Sequence, residues 1–131
     1  MGNGTSIGRV RGLGSSKHGA QHWLVQRFTA IGNLILVVWL VVSLALMPAY
    51  DYATMHAWVQ KPVPAAALIL IMINTFWHAR LGVQVFMEDY VYDHGLKFAS
   101  LAALNVLVFG GAAFGIISVL RIALTTTTGG A

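Results

Sequence analysis

The chain has 131 residues, 57% of them hydrophobic and only 9% charged, and no cysteine. An average soluble domain is about 25% charged, so this composition, with a mean hydropathy of +0.73, excludes a water-soluble globule. The lack of cysteine excludes disulfides and thiolate metal sites and leaves the five histidines, the carboxylates or methionine for any ligation. The net charge of +4 does not mark a nucleic-acid binder: Arg9, Arg11, Lys17 and Arg27 all precede the first apolar run, as a membrane-topology signal would, and form no basic stripe.

In chain order, residues 1–26 form a polar, Gly/Ser-rich segment. The first apolar run starts about 30 residues in, later than the short core of a secretory signal. Residues 27–122 read as one all-α, three-span membrane domain. The first span, about 28–47, is uncharged and closed by Pro48, and has the length of about 20 residues that ~30 Å of hydrocarbon requires. The loop PAYDYATMHAWVQKP follows, with Tyr52 and Trp58 suited to an interfacial belt. The second span, about 64–87, contains Asn74, His78 and Arg80. The loop EDYVYDHGLK leads to the third span, about 98–120, whose FGGAAFG stretch predicts close approach of another helix. Residues 123–131 are a short polar tail. Four basic residues precede span one and Lys97 lies in the second loop, against Lys61 and Arg121 on the other side. The positive-inside rule then predicts a cytoplasmic N-terminus and second loop, and a periplasmic C-terminus.

The stretch HARLGVQVFMEDY, from His78 to Tyr90, is where chemistry concentrates. A charge at the bilayer centre costs at least ~2.5–3.5 kcal/mol, so such residues face a partner or a cofactor. At about 100° and 1.5 Å per residue, Gly82 falls nearly on His78's face one turn on, and Asp89 returns to that face roughly 16 Å along the axis. An imidazole beside a gap is what a flat macrocycle needs: a nitrogen for iron and clearance for the ring edge. A structural hydrogen bond to another helix and a proton relay are the other readings of His78. Arg80 lies about 200° from His78 and cannot share its face. Glu88, Asp93, His18, His56 and His94 read as solvated surface groups.

The pattern His78-x3-Gly82-x6-Asp89-Tyr90 in the second of three spans, with HWLVQRFTAIGN (His22 to Asn33) at the entry to the first, resembles the hydrophobic membrane anchor subunits of succinate dehydrogenase (respiratory Complex II). The resemblance is to the alphaproteobacterial and mitochondrial branch and covers roughly residues 10 to 122. It implies a bacterial inner-membrane anchor that forms half of a heme-binding helix bundle, the other half being the cytochrome b subunit of succinate dehydrogenase. One b-type heme and a ubiquinone site would be shared, and the iron–sulfur and flavoprotein subunits would dock on the cytoplasmic side. It further implies His78 as an axial heme ligand, Arg27 and, more weakly, His22 toward the heme propionates, Tyr90 as a hydrogen-bond donor to a quinone carbonyl, and Asp89 in orienting the quinone or delivering protons. The chain would be a non-flavin subunit of an oxidoreductase and no catalyst alone. The alternatives are the anchor of a fumarate reductase and a small non-redox membrane accessory protein.

Overall fold

The computed structural model describes residues 19–125 and Ser6; Arg9, Arg11, Lys17, His18 and the tail at 126–131 lie outside the described residues. Four helices follow one another: α1 Gly19–Ala45, α2 Tyr52–Val59, α3 Pro62–Tyr90 and α4 His94–Leu124. α1, α3 and α4 are each long and apolar enough to cross a membrane. The 27 residues of α1 reach about 40 Å, more than the hydrocarbon thickness.

The helices and the predicted spans differ at their ends for identifiable reasons. Hydropathy marks the depth of hydrocarbon, whereas a helical ladder continues into the interface, so α1 already begins at Gly19 and carries His22 and Arg27. It stops at Ala45, ahead of Met47, because the residue before a proline is pushed out of helical conformation. The end is closed by the Leu46 and Met47 amides donating to the Val42 and Leu44 carbonyls, both at 3.0 Å. α3 opens on Pro62, at a helix start where a missing N–H costs nothing.

α2 lies inside the stretch that reads as a plain loop. Its N-terminus is capped by Asp51, which accepts the Thr54 amide at 3.1 Å and the Thr54 hydroxyl at 2.6 Å. Those bonds, the hydroxyl's first, hold the Asp51 carboxyl below its ordinary value of 3.8. Trp58 stacks on Trp39 of α1 at 6.0 Å, and the Gln60 side chain donates from Nε2 to the Thr125 carbonyl at 2.6 Å. The helix is thus tied to the ends of α1 and α4. Asp93 is likewise not a mere solvated loop charge: its carboxylate caps α4 by accepting the Leu96 amide at 2.7 Å. Across the same turn, Lys97 donates to the Glu88 carbonyl at 3.0 Å, which answers an orphan acceptor at the end of α3.

α3 is the middle of a flat layer. It packs on α1 along one side and on α4 along the other, and α1 and α4 do not pack on each other. Between α3 and α4 the small residues do what FGGAAFG predicts. A Cβ on Gly111 would sit 2.7 Å from the Phe76 ring and one on Gly115 2.9 Å from the Met72 sulfur, whereas Gly110 looks into open space. The layer has almost no interior: among the described residues only Ala65, Ile71, Leu81 and Val108 are buried hydrophobics. Phe28, Leu34, Val106 and Phe114 project from it, as suits a surface meant for lipid or for other helices.

Candidate functional site

The α1–α3 seam is a ladder of polar contacts. At its middle the Asn74 amide donates to the Thr29 carbonyl at 2.7 Å and to Asn33 Oδ1 at 2.9 Å, and the Thr75 hydroxyl donates to the same Asn33 oxygen at 3.0 Å. The helices approach tightly at Gly32, where a Cβ would be 3.0 Å from the Asn74 amide nitrogen. One turn further along α3, His78 Nδ1 lies 3.0 Å from Thr29 Oγ1. No other hydrogen bond reaches the His78 ring among the described residues. The interhelical hydrogen bond that composition alone leaves open for His78 is therefore present, and it engages one ring nitrogen only.

The expected clearance beside His78 is also present, and it has a boundary. A Cβ on Gly82 would meet nothing within 4 Å except the far end of Gln26, at 3.9 Å. Beyond Gly82, Phe86 and Tyr90 follow at spacings of four, each about 40° further round the helix. Their rings stack at 4.7 Å, and Tyr90 is 68% exposed at the end of α3. Asp89 is exposed beside it. On the opposite side of the seam a cleft of about 220 Å³ is lined by Gln21, His22, Val25, Trp77 and Leu81. His22 thus stays near α3. Arg27 does not: it lies two residues before Thr29, about 200° around α1, and is exposed with its guanidinium 5.3 Å from the Trp23 ring centre. Of the five candidate residues, His78, Asp89 and Tyr90 follow one helix and His22 faces it, while Arg27 turns outward.

Arg80 points the other way from His78, as its spacing requires. Its Nε donates to Asn105 Oδ1 of α4 at 2.7 Å, and the guanidinium lies over the Trp77 and Phe109 rings at 5.7 and 6.0 Å. An amide oxygen and two aromatic faces are a neutral way to hold a cation inside a span. Asn105 in turn donates to the Leu101 carbonyl at 2.8 Å. Among the described residues no three histidine or carboxylate side chains cluster to hold a metal ion.

The family described as succinate dehydrogenase/fumarate reductase transmembrane subunit matches residues 1–119, a range that takes in the whole of α1 and α3 and nearly all of α4. The chain belongs to this family. Its relatives include the succinate dehydrogenase hydrophobic membrane anchor subunit of Rickettsia conorii, 34% identical over 70% of this chain and 73% of that one. The subunit of the same name in Rickettsia bellii is 30% identical over 76% and 80%, and that of Coxiella burnetii is 26% identical over 73% and 84%. No solved structure matches the chain.

As a multi-pass membrane subunit of the succinate dehydrogenase/fumarate reductase family, the chain sets Asn74, His78, Arg80 and their partners where helices meet. Three of those groups escape a reading of the sequence. Thr29 is the partner of His78 and Asn105 the partner of Arg80, and Asn33 is the hub that receives Asn74 and Thr75. Each is a polar residue in an apolar run, which is the only signal the sequence offers. Which one meets which is a matter of how the helices cross.

Proposed function

We propose that this chain is the membrane anchor subunit of a succinate:ubiquinone oxidoreductase in the bacterial inner membrane, with the N-terminus and the α3–α4 turn in the cytoplasm and the C-terminus in the periplasm. His78 would hold a b-type heme by its imidazole, together with a ligand from the cytochrome b subunit. The chain docks the iron–sulfur and flavoprotein subunits at the end where Asp89 and Tyr90 lie. The observation that carries this reading is His78 itself: a histidine in mid-span with one ring nitrogen engaged by Thr29 and the space beside Gly82 free of everything but the end of Gln26. That donor and that clearance fit a heme edge. The curated relatives named for succinate dehydrogenase favour this direction over the fumarate reductase alternative.

The residues have separable tasks. His78 supplies an imidazole nitrogen. When bound, the heme provides an iron centre able to take up and release one electron. Arg27, exposed on the outward side of α1, and His22, the weaker candidate, would pair with carboxylate groups of the heme, since a guanidinium pairs well with a carboxylate. A quinone reduced by two electrons takes two protons, so its site belongs at the water interface. Tyr90 and Asp89 are exposed at the end of α3. The Tyr90 hydroxyl can donate to a carbonyl oxygen as negative charge grows on it, and the stack on Phe86 holds its ring. Asp89 can orient the quinone or pass protons from water.

Two measurements test this. His78→Ala should abolish or displace the b-type signal in a reduced-minus-oxidised spectrum of the purified complex; an unchanged spectrum and potential would sink the heme assignment. Tyr90→Phe keeps the ring and removes only the donor. Loss of one such donor in a dry site costs about 10²–10³ in rate, and this end is wet, so a smaller fall is expected in the ratio of quinone reductase to dye reductase activity at equal heme content. A wild-type ratio would reduce Tyr90 to an interfacial anchor.

A further inference from the structure

Thr29 Oγ1 sits among three polar atoms. The Val25 and Gln26 carbonyl oxygens are 2.9 and 3.0 Å away on its own helix, and His78 Nδ1 is 3.0 Å away on α3. A threonine hydroxyl has one proton. Two carbonyl oxygens this close to Oγ1 would repel it unless that proton lay between them, so the hydroxyl donates to its own helix, as threonines in helices commonly do. What remains toward α3 is a lone pair. The 3.0 Å contact to His78 is then an Nδ1–H donating to Oγ1, made firmer because a hydroxyl that is already donating is a better acceptor.

We propose that Thr29 is a positioning residue for His78: it fixes the Nδ1–H tautomer and the ring plane, and so leaves the Nε2 lone pair as the donor to iron. The inference rests on the reading of His78 as a heme ligand. Ring nitrogens of ligating histidines almost always have such an outer partner, which sets the tautomer and raises the basicity of the ligating nitrogen. Here the chain of donation runs from imidazole to hydroxyl to the α1 backbone. Thr29 is itself held in place, because its carbonyl accepts the Asn74 amide at 2.7 Å beside the tight crossing at Gly32. The ligand's orientation is thereby linked to the packing of α1 on α3.

The test uses the whole complex in membranes, with Thr29→Val, Thr29→Ser and His78→Ala variants. Thr29→Val keeps the shape and removes the hydroxyl. Without its acceptor the imidazole is a weaker base and stabilises ferric iron less. The heme midpoint potential should move positive, the ferric heme signal in electron paramagnetic resonance should shift, and heme affinity should fall about 10–100-fold. A tenfold loss confined to the ferric state corresponds to about 59 mV. Thr29→Ser restores the hydroxyl and should return all three readouts toward wild type, which a purely space-filling role for Thr29 would not require. If Thr29→Val does not assemble, Thr29→Ala decides on the same readouts, since it adds no bulk. A wild-type potential and resonance signal in either hydroxyl-free variant would overturn the proposal. If His78→Ala keeps a wild-type heme spectrum, the heme reading itself fails; if it loses the heme while the Thr29 variants change nothing, only the role of Thr29 fails.

Discussion

The two seams of α3 are built from opposite materials. Toward α1 it presents Asn74, Thr75 and His78, each hydrogen-bonded across the interface. Toward α4 it presents Met72 and Phe76, laid over Gly111 and Gly115, with Arg80 and Asn105 as a polar pair within the span. Lipid is as apolar as leucine, so helices in a membrane gain little from burying apolar surface and associate through close packing and hydrogen bonds. The α4 seam uses the first means and the α1 seam mainly the second. Packing over glycine tolerates small changes of angle. Hydrogen bonds do not, so the directional seam is the one that aims His78.

Breaking the α4 seam should have the largest effect. Gly111→Leu puts a side chain where even a Cβ falls 2.7 Å from Phe76. Overpacking of this kind costs about 1–3 kcal/mol or more, and the yield of assembled complex should drop. Gly110→Leu, one residue away and facing open space, should leave the yield unchanged. If the two variants behave alike, the glycine packing does not hold α4.

The α1 seam is probed by Asn74→Leu, which removes the bonds to the Thr29 carbonyl and to Asn33. Interhelical hydrogen bonds in membranes are worth about 0.6 kcal/mol each, with a maximum near 1.7. Thermal stability should therefore fall less than with Gly111→Leu, whereas the heme spectrum should change more. A variant that loses stability without any spectral change would show that this seam is glue and not an aiming device.

The smallest effect is expected at α2, outside both seams. The Asp51 carboxyl is held below 3.8 by its bonds from Thr54, so its contribution is present above that value and disappears as pH falls through the lower folded-state value. Asp51→Ala removes the cap at any pH. Hydrogen exchange over residues 52–59 should speed up at neutral pH in that variant, with the heme spectrum intact. Unchanged exchange would mean that the Trp39–Trp58 stack and the Gln60–Thr125 bond hold α2 unaided.

The three spans are legible in the sequence because hydropathy over some 20 residues is a strong signal. So is the succession of His78, Gly82, Asp89 and Tyr90 down one helix, since it needs only the helical repeat. α2 is not legible: its eight residues are too few for a periodic pattern, and what holds it comes from α1 and α4. The partnership of Thr29 with His78 spans 49 residues of sequence and depends on where two helices cross. The outward turn of Arg27 follows from the same 200° arithmetic that separates Arg80 from His78, but only once Thr29 is known to mark the inner face of α1.

The pairing of Arg80 with Asn105 bears on how the chain enters the membrane. When α3 has been synthesised, α1 is already available to receive Asn74 and His78, but Asn105 lies 25 residues further on. At about 5–20 residues per second, translation leaves Arg80 without that partner for roughly one to five seconds. An arginine at mid-bilayer costs at least ~2.5–3.5 kcal/mol, and until α4 arrives only Trp77 of its own helix offsets that cost. The turn at 91–93 is short, so α4 arrives alongside rather than at a distance. The second and third spans are therefore suited to leave the channel together, as a hairpin with its cation already hydrogen-bonded to an amide.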